Sequence, residues 1–177
     1  MLPRLFVEGE LYINSEISLS ENKFHYLINV LKCKEEENII LINGIDGEFS
    51  AKITKITNKR CEVKVSEKIK DYYRQNFLAL AFSPIDKIDI LVKSATELGV
   101  TDFYPIKTKY TKHMKINKIL PNMIEAVEQC ERLDLPIIHK MQTLESFLNN
   151  FNEEESLLIF CEERSNNNII KDIQIEN

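Results

Sequence analysis

The chain has 177 residues, of which 44% are hydrophobic and 29% charged, with a formal net charge of −5. That is the balance of a globular protein long enough to bury a core without disulfide staples. The acidic total excludes a protein that coats nucleic acid indiscriminately, and no apolar run reaches the length of a membrane span.

In chain order, residues 4–7 form a short apolar strand, and Ser20 caps a helix with apolar positions Phe24, Leu27, Ile28 and Leu31. A strand at 38–42 meets the Asn43-Gly-Ile-Asp-Gly47 turn. Two strands of alternating polarity follow, at 48–56 and from 61, with a turn at 57–60 between them. Several short antiparallel strands with one helix predict a small closed or nearly closed β-barrel over 1–70. The polar, tyrosine-bearing stretch around 71–76 reads as a linker.

Residues 77–82 read as a buried strand. Ser83, Pro84 and Asp86 supply a capping-box start for a helix whose apolar face is Ile85, Ile88, Leu91, Val92, Ala95 and Leu98. Gly99 suits the left-handed residue that closes such a helix, and 100–106 forms the next strand. A strand, a helix and a strand make a parallel βαβ unit. A basic loop follows, in which Lys107, Lys109, Lys112, Lys115 and Lys118 stand with His113 and no acid. Beyond it the pattern predicts a helix to Arg132, a short strand at 136–140, a helix at 144–151 and a strongly apolar strand at 156–160. From Ser165 the sequence is polar and asparagine-rich. The fold class is α+β followed by α/β: a small barrel, then a parallel sheet with helices over 77–177.

Cys33, Cys61, Cys130 and Cys161 lie far apart and form no Cys-x-x-Cys, so buried free thiols are expected and no metal site is. No Gly-x-Gly-x-x-Gly or Walker-type loop offers a phosphate cradle. The N-terminal residues lack a signal-peptide core, so the expected compartment is the cytoplasm. Glu125, Glu128, Gln129 and Arg132 stand at i, i+3, i+4 and i+7, a spacing that puts all four on one helix face. That face is either a solvated surface with a Glu128–Arg132 ion pair or the polar wall of a cleft. Lys93 and Glu97 share a face in the same ambiguous way. The 107–118 loop is either a solvated loop or one that contacts phosphates.

Pro3-Arg-Leu-Phe-Val7, His25 with Val30-Leu-Lys32, the Asn43-Gly44 turn, Lys93-Ser-Ala-Thr-Glu-Leu-Gly-Val100, Tyr104-Pro105 and Glu125-Ala-Val-Glu-Gln-Cys-Glu-Arg132 with Pro136 follow in order. Together they resemble the bacterial RsmE family, the 16S rRNA uridine N3-methyltransferases, with an N-terminal PUA-like barrel and a C-terminal SPOUT domain. The resemblance spans essentially the whole chain. Lys32 stands where that family usually has arginine. Family members continue into a glycine-rich loop that closes a knot and holds S-adenosylmethionine, and this sequence stops at Asn177, ahead of that segment.

The resemblance implies a PUA-like barrel over 1–70, a linker over 71–76 and a partial SPOUT domain over 77–177. It implies methylation of a uridine in 16S rRNA of the small ribosomal subunit, with S-adenosylmethionine as cofactor and a homodimer as the assembly. Arg132, Gln129, Glu125 and Glu128 are the implied catalytic residues. Arg4, His25, Lys32, Lys109 and Lys112 are the implied RNA contacts, and Cys161, Glu162 and Arg164 form one rim of the cofactor pocket. The alternative is a non-catalytic RNA-binding fragment of such an enzyme.

Overall fold

The structure is a computed structural model that describes residues 2–84, 86–111 and 116–161, the side chains of 116–118 excepted. Its first half is a five-stranded sheet in the order β1-β3-β4-β5-β2, from β1 (Arg4–Phe6), β2 (Glu16–Ser18), β3 (Asn38–Ile42), β4 (Glu48–Ile56) and β5 (Cys61–Lys70). The pairs β3–β4 and β4–β5 are antiparallel, as the sequence predicts; β2, which it did not predict, is antiparallel to β5, and β1 lies parallel to β3, with Arg4 beside Ile40. Three register shifts interrupt β4–β5, and such irregularities bend a sheet toward a half-barrel. The concave side is filled by Leu5, Leu27, Ile39, Leu41, Phe49, Ala51, Ile53, Val63 and Val65.

The helix after Ser20 is short. Helix α1 (Glu21–Phe24) widens into a π-helix over His25–Val30, in which the Leu31 N–H donates to the Tyr26 carbonyl. Lys32, at φ 61°, ends it. Ser20 occupies the cap position, yet its hydroxyl makes no capping bond.

The second half is a parallel layer. Strand β6 (Ala79–Phe82) pairs with β7 (Asp102–Lys107), while β8 (Ile137–Ile138) and β9 (Gln142–Thr143) pair with β7 in turn. Helices α2 (Ile88–Glu97) and α3 (Ile116–Gln129) pack on one face of this layer around Phe103, with Val92, Ala95, Ile119 and Met123. Helix α4 (Leu144–Asn149) is capped by the Thr143 hydroxyl, and Phe147 brings it against Tyr104.

Four expectations need correction. The stretch 77–82, expected as a buried strand, pairs only from Ala79 at the sheet edge, with Phe77 and Leu78 exposed. Helix α2 begins at Ile88 rather than beside Ser83, because the Ser83 hydroxyl bonds Thr108 and Thr111 at 3.1 Å each and so caps nothing. Leu98, expected on the buried face, is 81% exposed because the helix closes at that residue and Gly99 turns the chain at φ 96°. Residues 156–160 form no strand, and Leu157 and Phe160 are exposed.

A third, smaller core joins the halves. Phe6 and Ile42, on the convex side of the first sheet, meet Val127 and Leu133 from α3 and the segment after it.

Candidate functional site

Helix α3 is where the sequence gathers its candidate catalytic groups, and the structure separates them. The helix ends at Gln129, and Glu131 takes φ 57°, so Arg132 leaves the face that uniform helical spacing assigns it. Its guanidinium is buried instead. Nε and Nη2 donate to the two carboxylate oxygens of Asp134, at 3.2 and 2.8 Å, and Nη1 donates to the carbonyls of Thr96 and Val100, at 2.8 and 2.9 Å. Thr96 lies in the last turn of α2, where its carbonyl also accepts the Gly99 N–H, and Val100 follows that turn, so Arg132 fastens the end of α2 and the chain leaving it.

Glu128 faces the first sheet. Its Oε1 accepts the Phe6 N–H at 2.7 Å, and Lys23 of α1 lies close enough to interact. Burial pushes the Glu128 carboxyl above the usual carboxylate range, opposed by the Phe6 N–H and by Lys23. Burial in turn lowers the Lys23 ammonium, which Glu128 opposes. Glu125 and Gln129 stay on the exposed face. The Glu125 carboxylate accepts from Lys93 Nζ at 2.8 Å and from Gln129 Nε2 at 3.3 Å, and the first of these bonds raises the Lys93 pKa. Lys93 therefore bridges helices to Glu125; the face it was expected to share with Glu97 is not where its bond lies.

The candidate RNA contacts divide in the same way. Arg4 is nine-tenths buried and pairs with Glu48 at 2.8 Å, with Lys70 at 3.8 Å from the same carboxylate. Its Nη1 is buried without a hydrogen-bond partner among the described residues. His25 and Lys32 are exposed at the two ends of the π-helix, and Lys109 is exposed with its Nζ 5.5 Å from the Tyr110 ring centroid. Cys161 is exposed, while Lys112, Glu162 and Arg164 lie outside the described residues. Of the expected buried thiols, Cys61 is one, its pKa pushed up to about 11 first by burial; Cys130 and Cys161 are exposed and Cys33 is half-buried.

Two arrangements escape a reading by spacing. Asp102, buried at the start of β7, accepts from Arg74 at 2.6 Å and meets His139 Nε2 at 2.8 Å. The Arg74 bond fastens the 71–76 segment to the parallel layer, and the His139 ring stacks on Tyr104 at 4.0 Å. At the carboxyl ends of β6 and β7, where open α/β sheets place ligands, the hydroxyls of Ser83, Thr108 and Thr111 lie within 3.0–3.1 Å of one another. The only advance signal for either was a Ser or Thr just past a strand and an acid opening one.

Comparison with known proteins agrees with this two-part architecture. A family profile described as an RNA methyltransferase PUA domain matches residues 19–66, and one described as an RNA methyltransferase domain matches residues 70–176. The chain is 34% identical to the ribosomal RNA small subunit methyltransferase E of Rickettsia conorii, over 94% of this chain and 75% of that protein. It is 25% identical to the protein of the same name from Buchnera aphidicola of Schizaphis graminum, over 90% of this chain and 69% of the relative. The fold superimposes on a ribosomal RNA small subunit methyltransferase E from Neisseria gonorrhoeae, solved bound to S-adenosyl methionine. The TM-score is 0.74 at 21% identity, covering 87% of this chain and 68% of that one. A putative methyltransferase from Legionella pneumophila, in complex with the same cofactor, gives 0.73 at 22% identity over 86% of this chain and 68% of that one. With the second profile covering more than half of its length and a relative at this identity, the chain belongs to the ribosomal RNA small subunit methyltransferase E family.

Proposed function

We propose that this protein methylates N3 of a uridine in the 16S rRNA of the small ribosomal subunit, with S-adenosylmethionine as methyl donor. The observation that carries the reading is the 34% identity to the Rickettsia conorii methyltransferase, which runs through the half-barrel and the parallel layer alike. The family membership makes RNA the substrate class. The particular uridine, a homodimeric assembly and a cytoplasmic setting belong to the proposal. Among the described residues no helix is long and apolar enough to cross a membrane.

N3 lies on the Watson–Crick edge, so the target base must be unpaired or everted when it reacts. As the imide proton leaves, negative charge grows on the ring oxygens. In this proposal the Gln129 amide, exposed on α3, donates to such an oxygen in place of its bond to Glu125, and Glu125 takes the proton. Arg132 and Glu128 act differently in this proposal. Arg132 holds the end of α2 against the segment after α3, and Glu128 holds α3 against β1; both are positioning residues. His25, Lys32 and Lys109, exposed and cationic or protonatable, hold the RNA backbone, with Lys112 outside the described residues; Arg4 supports the sheet through Glu48. S-adenosylmethionine supplies an activated methyl group when bound. Of the rim expected for it, Cys161 is exposed, and Glu162 and Arg164 lie outside the described residues.

A second reading is an RNA-binding protein without methyl transfer. One experiment separates the two. Incubation with small ribosomal subunits and methyl-labelled S-adenosylmethionine, followed by nucleoside analysis, yields labelled 3-methyluridine under the first reading. RNA binding without label leaves the second. Under either, Lys109→Ala flattens the salt dependence of RNA affinity by roughly one phosphate contact, a log–log slope change of about 0.7–0.9.

A further inference from the structure

The first sheet carries an open recess of about 480 Å3 between the segment before β2 and the turn after β3, lined by Glu10, Leu11, Tyr12, Asn43, Ile45 and Asp46 with Gly9. Its walls are fixed from behind. Asn43 Nδ2 donates to the Gly9 carbonyl at 2.8 Å and to Asp46 Oδ2 at 2.6 Å, and Asn43 Oδ1 accepts the N–H groups of Ile45 and Asp46. Asp46 Oδ2 also accepts the Leu11 N–H at 2.8 Å, which ties one wall to the other. The Tyr12 carbonyl accepts from both the N–H and the hydroxyl of Ser15, and the Asn14 N–H donates to Val65 of β5.

On these braced loops Leu11 is buried, yet two other apolar groups face solvent. Tyr12 is 61% exposed and Ile45 is 72% exposed. Large apolar side chains on an already ordered backbone can take a ligand without first losing loop entropy. The charges settle which ligand. Glu10 and Asp46 are the charged lining residues, and although Lys68 lies near enough to act on Asp46, the lining itself offers a phosphate no cation. The Leu11 N–H and then the Asn43 amide hold the Asp46 carboxyl below its usual range, and its Oδ1 takes no hydrogen bond among the described residues. A flat apolar ring with an N–H on its edge matches a platform of Tyr12 and Ile45 beside an ionised acceptor.

We infer that this recess receives one unpaired nucleobase of the bound RNA, its face on Tyr12 and Ile45 and an edge N–H donated to Asp46 Oδ1. The inference rests on the RNA-directed reading above and adds a base-binding site to it, apart from the lysines that hold phosphates. Stacking a base on an aromatic side chain is sequence-tolerant and carries no counterion release. The site therefore contributes affinity that salt does not weaken.

The test uses the full chain and a short, end-labelled single-stranded RNA of mixed sequence, titrated by fluorescence anisotropy at several salt concentrations. Tyr12→Ala is expected to weaken binding by roughly tenfold at every salt concentration with an unchanged slope. Tyr12→Phe, which keeps the ring, is expected to stay within about twofold of wild type. Tyr12 is exposed, so both variants should melt as wild type does. If wild type binds RNA and Tyr12→Ala binds it equally well, or Tyr12→Phe is as weak as Tyr12→Ala, the site is overturned while the RNA-directed reading stands. If wild type binds no RNA, both fail. Loss of self-association in Tyr12→Ala by sedimentation, with RNA affinity intact, would assign the patch to a second copy of the chain and overturn the proposal as well.

Discussion

At the scale of single residues, Arg132 shows how far a polar side chain's role depends on where its helix stops. One more turn of α3 would have put it on the solvent face with Glu125 and Gln129. Instead Glu131 takes a left-handed conformation and the guanidinium turns inward onto Asp134, Thr96 and Val100. Removing one partner of a buried ion pair leaves an uncompensated charge, which costs about 3–5 kcal/mol. Arg132→Ala is accordingly expected to lose that much stability in urea titration, with Asp134 stranded. Arg132→Lys should recover only part, because an ammonium has three N–H donors for the four bonds Arg132 makes and no planar fork for the two Asp134 oxygens. A wild-type melting curve for Arg132→Ala would refute this structural assignment. Nothing in Gln-Cys-Glu-Arg-Leu-Asp announces the inward turn, since the positive φ falls on a glutamate rather than a glycine.

At the scale of elements, turns decide more than strands do. Gly47 and Gly9 both sit at positive φ, 108° and 91°. A Cβ at Gly47 would come within 2.2 Å of the Lys70 carbonyl oxygen and 2.9 Å of the Tyr72 N, whereas at Gly9 it would meet nothing within 4 Å. Gly47→Ala therefore adds a backbone clash to the conformational cost and should destabilise by about 3 kcal/mol, against about 1 kcal/mol for Gly9→Ala. Equal melting shifts would show that the β4 start yields more easily than its packing implies. The Asn43-Gly44 and Gly47 positions were legible as a turn because those residue types tolerate left-handed backbone. The π-helix after Ser20 was not, because its apolar spacing also satisfies an ordinary helix. The start of α2 was misplaced because a capping serine and a serine bonded to threonines just past another strand look alike in sequence.

At the scale of the whole molecule, the joint between the two halves rests on the Phe6, Ile42, Val127 and Leu133 core and on the bond from the Phe6 N–H to Glu128. Glu128→Ala leaves that N–H without its acceptor and is expected to cost about 1–3 kcal/mol. Glu128→Gln keeps an acceptor oxygen and removes the charge. Because burial raises the Glu128 pKa, the folded state holds its proton more tightly than the unfolded chain does. The stability this contributes is present below the ordinary carboxylate range and is lost as pH rises through the raised value. Glu128→Gln should therefore be at least as stable as wild type at neutral pH, and its advantage should vanish as the pH is lowered below the usual carboxylate range. Thermal melts of the three proteins across that range check it; a glutamine variant that is weaker at neutral pH would mean that Lys23 outweighs burial.

The sequence by itself determined the two kinds of layer, the parallel βαβ unit and the family, because alternation, helical spacing and ordered motifs are local and survive without knowledge of contacts. The tertiary structure alone decided which polar groups face outward: Arg4 and Arg132 are inside, Glu128 ties the halves, and Tyr12 and Ile45 stand exposed on braced loops. Those outcomes depend on partners far away in the chain, such as Glu48 for Arg4 and Thr96 for Arg132. Spacing fixes the direction of a side chain relative to its own element; burial depends on what that element packs against.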